Sequence, residues 1–191
     1  MAKLPVMLIH YFPRLYEFFI NSIHPPDRYD LAGNIIENGS VLDIGCGTGL
    51  LADHLSPGAT YQGIDLNTRL LNYARGKGLN VNRMDCKNVS SYPEVDVYFI
   101  CDLLHHINPD HRSFIRELIK TFPDSTVVVC EPYARGSWIY RQVVKILDYD
   151  YVNGIWRPDW YEKKELYRFL EEEVEANRIE EIGNDLVGVR E

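Results

Sequence analysis

The sequence lacks paired cysteine motifs, long apolar runs and any excess of basic residues. Its four cysteines are widely spaced, with no C-x-x-C pair, which argues against a zinc site and predicts free thiols in a reducing, cytoplasmic setting. The apolar stretch 6–12 is too short to span a membrane, and no signal peptide is predicted. The net charge of −8 disfavours nucleic acid as a partner, because nucleic-acid binding requires a basic surface.

Strands and helices are predicted to alternate along a chain of 191 residues, a length typical of one domain. Apolar segments predict strands at 40–44, 60–65, 80–84, 95–101 and 125–130. Helical spacing predicts helices at 14–23, 27–37, 49–55, 67–76, 111–121, 135–150 and 162–174. The tail predicts two more strands, 178–182 and 186–190, around a turn at 183–185. This pattern favours an α/β fold, with a mostly parallel sheet covered by helices on both faces and a C-terminal antiparallel hairpin.

A glycine-rich loop follows the first predicted strand, in the segment Val41-Leu42-Asp43-Ile44-Gly45-Cys46-Gly47-Thr48-Gly49-Leu50. Glycine lets the backbone approach a ligand closely, because it has no Cβ. The dinucleotide fingerprint G-x-G-x-x-G requires a third glycine at the position of Leu50. Asp43 would repel a pyrophosphate but suits a ligand that carries an ammonium group. The loop therefore favours S-adenosylmethionine (SAM) over a dinucleotide, although a glycine turn without a cofactor is the alternative.

The pattern D-x-G-x-G-x-G at 43–49 resembles the first motif of class I SAM-dependent methyltransferases, and the resemblance extends over residues 40–131. It implies SAM as cofactor and a Rossmann-like, doubly wound sheet of seven strands. In this family the N-terminal helices cover the cofactor. The resemblance thus implies a single domain, 1–191, with 1–38 as its cap and 133–161 as a lid that contacts the substrate.

Acidic residues at the ends of successive strands extend the predicted cofactor site. Asp65 can accept hydrogen bonds from ribose hydroxyls, although it can instead cap the next helix. Leu66 can pack on a purine, and Asp85 with Cys86 can meet the adenine edge, unless Asp85 is an ordinary turn residue. The complete predicted cofactor set is Asp43, Gly45, Cys46, Gly47, Gly49, Asp65, Leu66, Asp85, Cys86 and Cys101.

The segment after the fourth predicted strand differs from that of methyltransferases acting on nucleic acid or glutamine. Those enzymes carry an Asn/Asp-Pro-Pro-aromatic motif, whereas this chain has Cys101-Asp102-Leu103-Leu104. The segment resembles the small-molecule branch, methyltransferase types 11 and 12. His105 and His106 are candidate general bases, or else structural residues. Adjacent side chains in a turn usually diverge, so we predict no metal site here.

Aromatic residues are dense after the fifth predicted strand and predict a pocket for a small, partly apolar or aromatic acceptor. The candidate substrate-binding residues are Tyr11, Tyr133 and Trp156, with ordinary packing as the alternative. The acceptor atom can be oxygen, nitrogen, carbon or sulfur. Two other classes of function stay open, a nucleotide-binding oxidoreductase on a similar sheet and a non-catalytic SAM-binding domain.

Overall fold

The fold is built on one seven-stranded sheet, in a computed structural model that describes residues 12–24, 26–134 and 162–191. Its strands are β1 (Ser40–Ile44), β2 (Thr60–Asp65), β3 (Val81–Arg83), β4 (Val97–Cys101), β5 (Thr126–Pro132), β6 (Arg178–Ile182) and β7 (Asp185–Arg190). Their spatial order is β3-β2-β1-β4-β5-β7-β6. The first five strands are parallel to their neighbours, and β7 pairs antiparallel with both β5 and β6. The predicted sheet and its C-terminal hairpin are therefore confirmed.

Five α-helices lie in the described residues: α1 (Pro13–Ile23), α2 (Asp27–Ile36), α3 (Thr68–Gly76), α4 (His111–Thr121) and α5 (Lys163–Glu172). Short 3₁₀ helices occupy Leu50–His54, Val89–Ser91 and Leu104–His106. The predicted helix 135–150 lies outside the described residues. None of the helices in the described ranges is long and apolar enough to cross a membrane.

Side chains alternate across the sheet and fill a core on each face. On one face Leu42 and Ile44 of β1 belong to a cluster that includes Phe114 of α4 and Phe169 of α5. On the other face Val41 belongs to a cluster formed with α2 and the Leu50–His54 helix. The sheet is thus covered on both sides, as the apolar strands predicted.

The structure differs from the prediction at residues 49–55 and at the start of β4, among other element ends. Residues 49–55 were expected to form a regular helix, but Gly49 is left-handed, with φ +75°, and a 3₁₀ helix follows. Strand β4 begins at Val97 rather than at residue 95. The residue before it, Asp96, uses its side chain to bind β1, because its carboxylate accepts hydrogen bonds from Ser40 N and Ser40 Oγ, each at 2.7 Å.

Strand order reverses beside β1, since β2 and β4 lie on either side of it. Open α/β sheets bind ligands at such a switch point, outside the carboxyl ends of the strands. The glycine loop leaves β1 at this point. Gly45 N and Cys46 N both donate to Ile64 O of β2, at 2.8 and 3.0 Å, which holds the start of the loop against the neighbouring strand.

Candidate active site

A cavity of about 290 Å³ lies at the carboxyl ends of β1 to β4. Its volume is just below the range for small-ligand sites, which begins at about 300 Å³. Predicted cofactor and catalytic residues share its wall, and these are Gly45, Asp65, Leu66, Asp85, Cys86 and His106. The sheet therefore brings together residues that are up to 61 positions apart, from Gly45 to His106.

A smaller cavity of about 40 Å³ adjoins the first. Its wall holds three further predicted cofactor residues, Asp43, Cys46 and Cys101. Tyr16 of α1 and Tyr29 of α2 also line it, so both N-terminal helices contribute to the site.

The glycine loop owes its shape to left-handed backbone conformations at 45, 47 and 49, with φ of 78°, 53° and 75°. Side chains larger than glycine are strained at such angles. Gly47 packs beneath α1, because a Cβ there would lie 3.4 Å from the Tyr16 hydroxyl. Gly47 and Gly49 line neither cavity, so their part in the site is to shape the loop.

Asp65 connects β2 to the glycine loop. Its Oδ2 accepts a hydrogen bond from Gly47 N at 2.9 Å, and its Oδ1 accepts one from Asn67 N at 2.6 Å. The cap of α3 is Asn67, whose side chain accepts from Arg69 N and Leu70 N. Asp65 is therefore not the cap of this helix, and its carboxylate, which offers about four acceptor positions, can still accept from a ligand.

Asp43 is a buried carboxyl group beside the loop. Tyr61 donates its hydroxyl hydrogen to Asp43 Oδ2 at 2.8 Å. Burial, with a further contribution from the Asp65 charge, raises the pKa of Asp43 to about 7, although the Tyr61 hydrogen bond opposes the rise. A cationic group in the small cavity would favour the ionised form.

Asp85 and Cys86 follow β3 and line the large cavity. Asp85 Oδ1 accepts from Lys87 N at 2.9 Å, which holds the turn. Burial, together with the nearby Asp85 charge, raises the pKa of Cys86 to about 12, so this residue stays a neutral thiol. This side of the cavity thus offers a carboxylate beside an apolar surface formed with Leu66 and Met84.

His105 and His106 have different surroundings. His106 lines the large cavity, whereas His105 is buried and lines neither cavity. His105 Nδ1 lies 2.7 Å from Glu131 Oε2. The predicted base role of His105 therefore loses support, because its side chain lines neither cavity.

Glu131 holds the loop beside the large cavity, a role that the sequence did not predict. It is fully buried in β5, and its Oε1 accepts from Leu103 N and Leu104 N at 2.6 and 2.7 Å. With His105 it fixes the loop that presents Asp102 and His106 to the large cavity. The signal in the sequence is an acidic residue that directly follows the apolar run Val127–Cys130.

A buried charge cluster was also missed. Arg28 of α2 is fully buried and forms ion pairs with Asp102 Oδ2 at 2.7 Å and with Asp185 Oδ2 at 3.2 Å. His24 Nδ1 lies 3.1 Å from Asp185 Oδ1. His24, Asp102 and Asp185 offer ligand atoms within 4.8 Å of one another, as in a metal site, but Arg28 already forms ion pairs with both carboxylates.

Of the predicted substrate residues, the structure describes only Tyr133, and Tyr133 lines neither cavity. Tyr133 is buried in the core, and its hydroxyl donates to Glu181 Oε1 at 2.5 Å, so its role as a substrate contact is not supported. Tyr133 directly follows β5, and its side chain packs in the core instead of lining a cavity. Tyr11, Trp156 and the lid segment from residue 135 to 161 lie outside the described residues.

Residues 41–122 match the model of a family described as a methyltransferase domain. Two curated relatives are a ubiquinone biosynthesis O-methyltransferase of Thiobacillus denitrificans and a trans-aconitate 2-methyltransferase of Rhodococcus jostii. The first is 32% identical over 59% of this chain and 45% of its own length. The second is 29% identical over 54% of this chain and 37% of its own length. The matched segment thus spans less than half of each relative.

Solved structures share the fold across almost the whole chain. The mitomycin 7-O-methyltransferase aligns with a TM-score of 0.64 and 21% identity, covering 96% of this chain and 59% of that one. A SAM-dependent methyltransferase from Aquifex aeolicus aligns with a TM-score of 0.61 and 19% identity, covering 94% and 97%. The match over residues 41–122 and the shared fold show that this chain is similar to SAM-dependent methyltransferases, whose cofactor is SAM.

The residues of the two cavities fit this cofactor. Thr48 Oγ1 and Asp102 Oδ1 are buried at the small cavity, and neither has a hydrogen-bond partner within the described residues. Buried polar atoms without partners are costly unless a ligand or water satisfies them. Asp43 is buried at the same cavity, where a bound cation would favour its ionised form.

Proposed function

We propose that this chain transfers a methyl group from SAM to a small, partly apolar or aromatic acceptor by in-line displacement. The observation that carries the proposal is the pair of adjoining cavities at the switch point, one lined by Asp65 and Asp85 and the other by Asp43 and the glycine loop. The curated relatives, whose names refer to ubiquinone biosynthesis and to trans-aconitate, support a small-molecule acceptor.

In this proposal, SAM supplies an electrophilic methyl group on a sulfonium. Asp65 and Asp85 hold the nucleoside by accepting hydrogen bonds, and Leu66 packs against the base. Asp43 and Thr48 hold the amino-acid end. The N-terminal helices exclude water, which helps to align acceptor and donor. His106 is the candidate to receive a proton from the acceptor, since it lines the cavity.

Binding and transfer assays test the proposal against its alternatives. Calorimetry should show binding of SAM and of its demethylated product, S-adenosylhomocysteine (SAH), with negligible binding of NADH. Methyl release should then be measured over a panel of small phenols, carboxylates, amines and thiols. Binding of NADH without SAM would favour an oxidoreductase. Binding of SAM without release from any small molecule, but with methylation of RNA or DNA, would overturn the substrate class.

We also propose a reducing, cytoplasmic setting for the protein. All four cysteines are free thiols. Burial raises the pKa of the Cys46 and Cys101 thiols well above their ordinary value, so both stay protonated next to the small cavity. Assay of free thiols in the protein purified without reductant checks this proposal.

We expect Asp65→Ala to weaken SAM binding by about 1.5–3 kcal/mol, the usual cost of losing hydrogen bonds to a charged group. The substitution also leaves Gly47 N without its acceptor, so the free energy of unfolding should decrease as well. Calorimetry gives the affinity and denaturant unfolding gives the stability.

Asp96→Ala is the matched control for Asp65→Ala. Asp96 also accepts two hydrogen bonds from the chain, from Ser40 N and Oγ, but it lies at the amino ends of the strands, away from the cavities. This control should lose stability and keep its affinity for SAM. Equal affinities in Asp65→Ala and the control would limit Asp65 to a structural role.

We expect the affinity for SAM to rise with pH across the pKa of Asp43, about 7. Below this pH the ligand-free protein holds Asp43 protonated, so binding an ammonium group must first release that proton. The affinity should increase by up to about tenfold per pH unit on the acid side. The same raised pKa lowers the stability of the ligand-free protein as pH rises from about 4 to 7, because the folded state binds more protons there.

Calorimetry in buffers of different ionisation enthalpy measures the proton released on binding by Asp43. In Asp43→Asn the affinity should be weaker and nearly independent of pH over the same range. A wild-type affinity that does not change with pH, or that falls as pH rises, would contradict this role of Asp43.

A further inference from the structure

Three residues line both cavities, namely Tyr16, Gly45 and Asp102. We call this place the junction. A ligand whose nucleoside occupies the large cavity and whose amino-acid end occupies the small one must pass through the junction. If the proposed function is correct, the atom that links the two parts is the sulfur, which is positively charged in SAM and neutral in SAH.

Asp102 brings a carboxylate to the junction in an unusual backbone conformation. Its φ is +51°, in the left-handed region that a non-glycine residue occupies only at a cost. Strain of this kind persists only where the surroundings impose it. Here the ion pair with Arg28 holds the side chain, and Arg28 is itself fixed by Asp185 and by the hydroxyl of Tyr29.

The two carboxylate oxygens of Asp102 have different roles. Oδ2 is taken by Arg28 Nη2 at 2.7 Å, whereas Oδ1 is buried and has no hydrogen-bond partner in the described part of the chain. Burial opposes ionisation of Asp102, but Arg28 and His24 outweigh it and hold its pKa below the ordinary value. The junction therefore presents a fixed negative charge that is too weak a base to remove a proton from an acceptor.

We propose that Asp102 is a specificity-determining residue that recognises the positive charge of the methyl donor at the junction. Its second carboxylate oxygen favours the sulfonium of SAM over the neutral thioether of SAH. The Tyr16 side chain, at the same junction, adds an aromatic ring of the kind that attracts cations. Arg28 acts as the positioning residue, because it fixes the carboxylate without contacting the cavities.

Methyl transfer breaks the carbon–sulfur bond, whose electron pair stays on sulfur, and forms a bond from an acceptor lone pair to the methyl carbon. The acceptor proton passes to solvent or to a nearby base. The positive charge at the junction disappears in this step, so the attraction to Asp102 disappears with it. Asp102 thereby favours release of the product and its replacement by fresh donor.

The test compares the affinities of the ligand-free protein for SAM and SAH by calorimetry. In Asp102→Asn, which keeps the shape of the side chain and an oxygen for Arg28, affinity for SAM should fall about tenfold, or about 1.4 kcal/mol. Affinity for SAH should change less than twofold. Asp96→Asn removes the same charge at the amino ends of the strands, away from the cavities. This variant should leave the ratio of the two affinities unchanged.

A second measurement needs no variant at the buried cluster. Sinefungin, in which a carbon bearing an amino group replaces the methylated sulfur, should bind the wild-type protein at least fivefold tighter than SAH at neutral pH. An unchanged ratio of SAM affinity to SAH affinity in folded Asp102→Asn, or equal binding of sinefungin and SAH, would overturn this inference. The proposed function would be unaffected by either result. Failure of the wild-type protein to bind either SAM or SAH would instead overturn the proposed function.

Discussion

Gly47→Val should abolish measurable SAM binding while the protein still folds. Gly47 has φ +53°, a conformation that a β-branched residue adopts only with strain of about 1–3 kcal/mol. The new Cβ would meet the Tyr16 hydroxyl at 3.4 Å, and the two methyl groups beyond it would push against α1. The turn can relieve the strain only by moving Gly47 N away from Asp65 Oδ2. Because Gly45, Asp65 and Tyr16 all line the site, such a shift deforms both of its cavities.

The matched control for Gly47→Val is Gly76→Val. Gly76 lies in the last turn of α3, and a Cβ there would have no neighbour within 4 Å. Calorimetry should show affinity reduced more than a hundredfold in Gly47→Val and unchanged in Gly76→Val, with circular dichroism confirming that both variants are folded. Normal SAM binding by folded Gly47→Val would show that the glycine loop does not shape the cofactor site.

Glu131→Ala should produce the largest loss of stability, about 3–5 kcal/mol, the range for removing one partner from a buried charged pair. It leaves Leu103 N and Leu104 N without an acceptor and His105 Nδ1 without its carboxylate. Since these bonds fix the loop that carries Asp102 and His106, we expect any folded fraction to bind SAM weakly.

Glu131→Gln separates the hydrogen bonds of Glu131 from its charge. A glutamine oxygen can still accept from Leu103 N and Leu104 N, so this variant should lose less than half as much stability as Glu131→Ala. Denaturant unfolding at several pH values measures both losses. Equal stability of the wild type and Glu131→Ala would refute the role of Glu131 in holding the loop.

The sequence was sufficient for the sheet because its signals are local. Apolar segments such as Val127–Cys130 predict buried strands wherever they lie, and the turn signal Gly183-Asn184-Asp185 predicts the final hairpin. The glycine loop was equally readable, since the spacing of Gly45, Gly47 and Gly49 after a strand specifies its backbone. Asp65 and Asp85 followed from the rule that ligands bind at strand ends.

The sequence by itself thus determined the order of elements in the described residues, and it predicted the class of the protein and most of the candidate cofactor residues that line the two cavities. Only the tertiary structure decided which charges meet. Arg28 and Asp185 are 157 positions apart, and Leu103 and Glu131 are 28 apart, so no local pattern pairs them. The physical reason is that a buried charge is stable only beside a partner, and folding alone brings that partner. The same pairing decided that His105 faces Glu131, that His106 lines the cavity and that Asp102 stands at the junction.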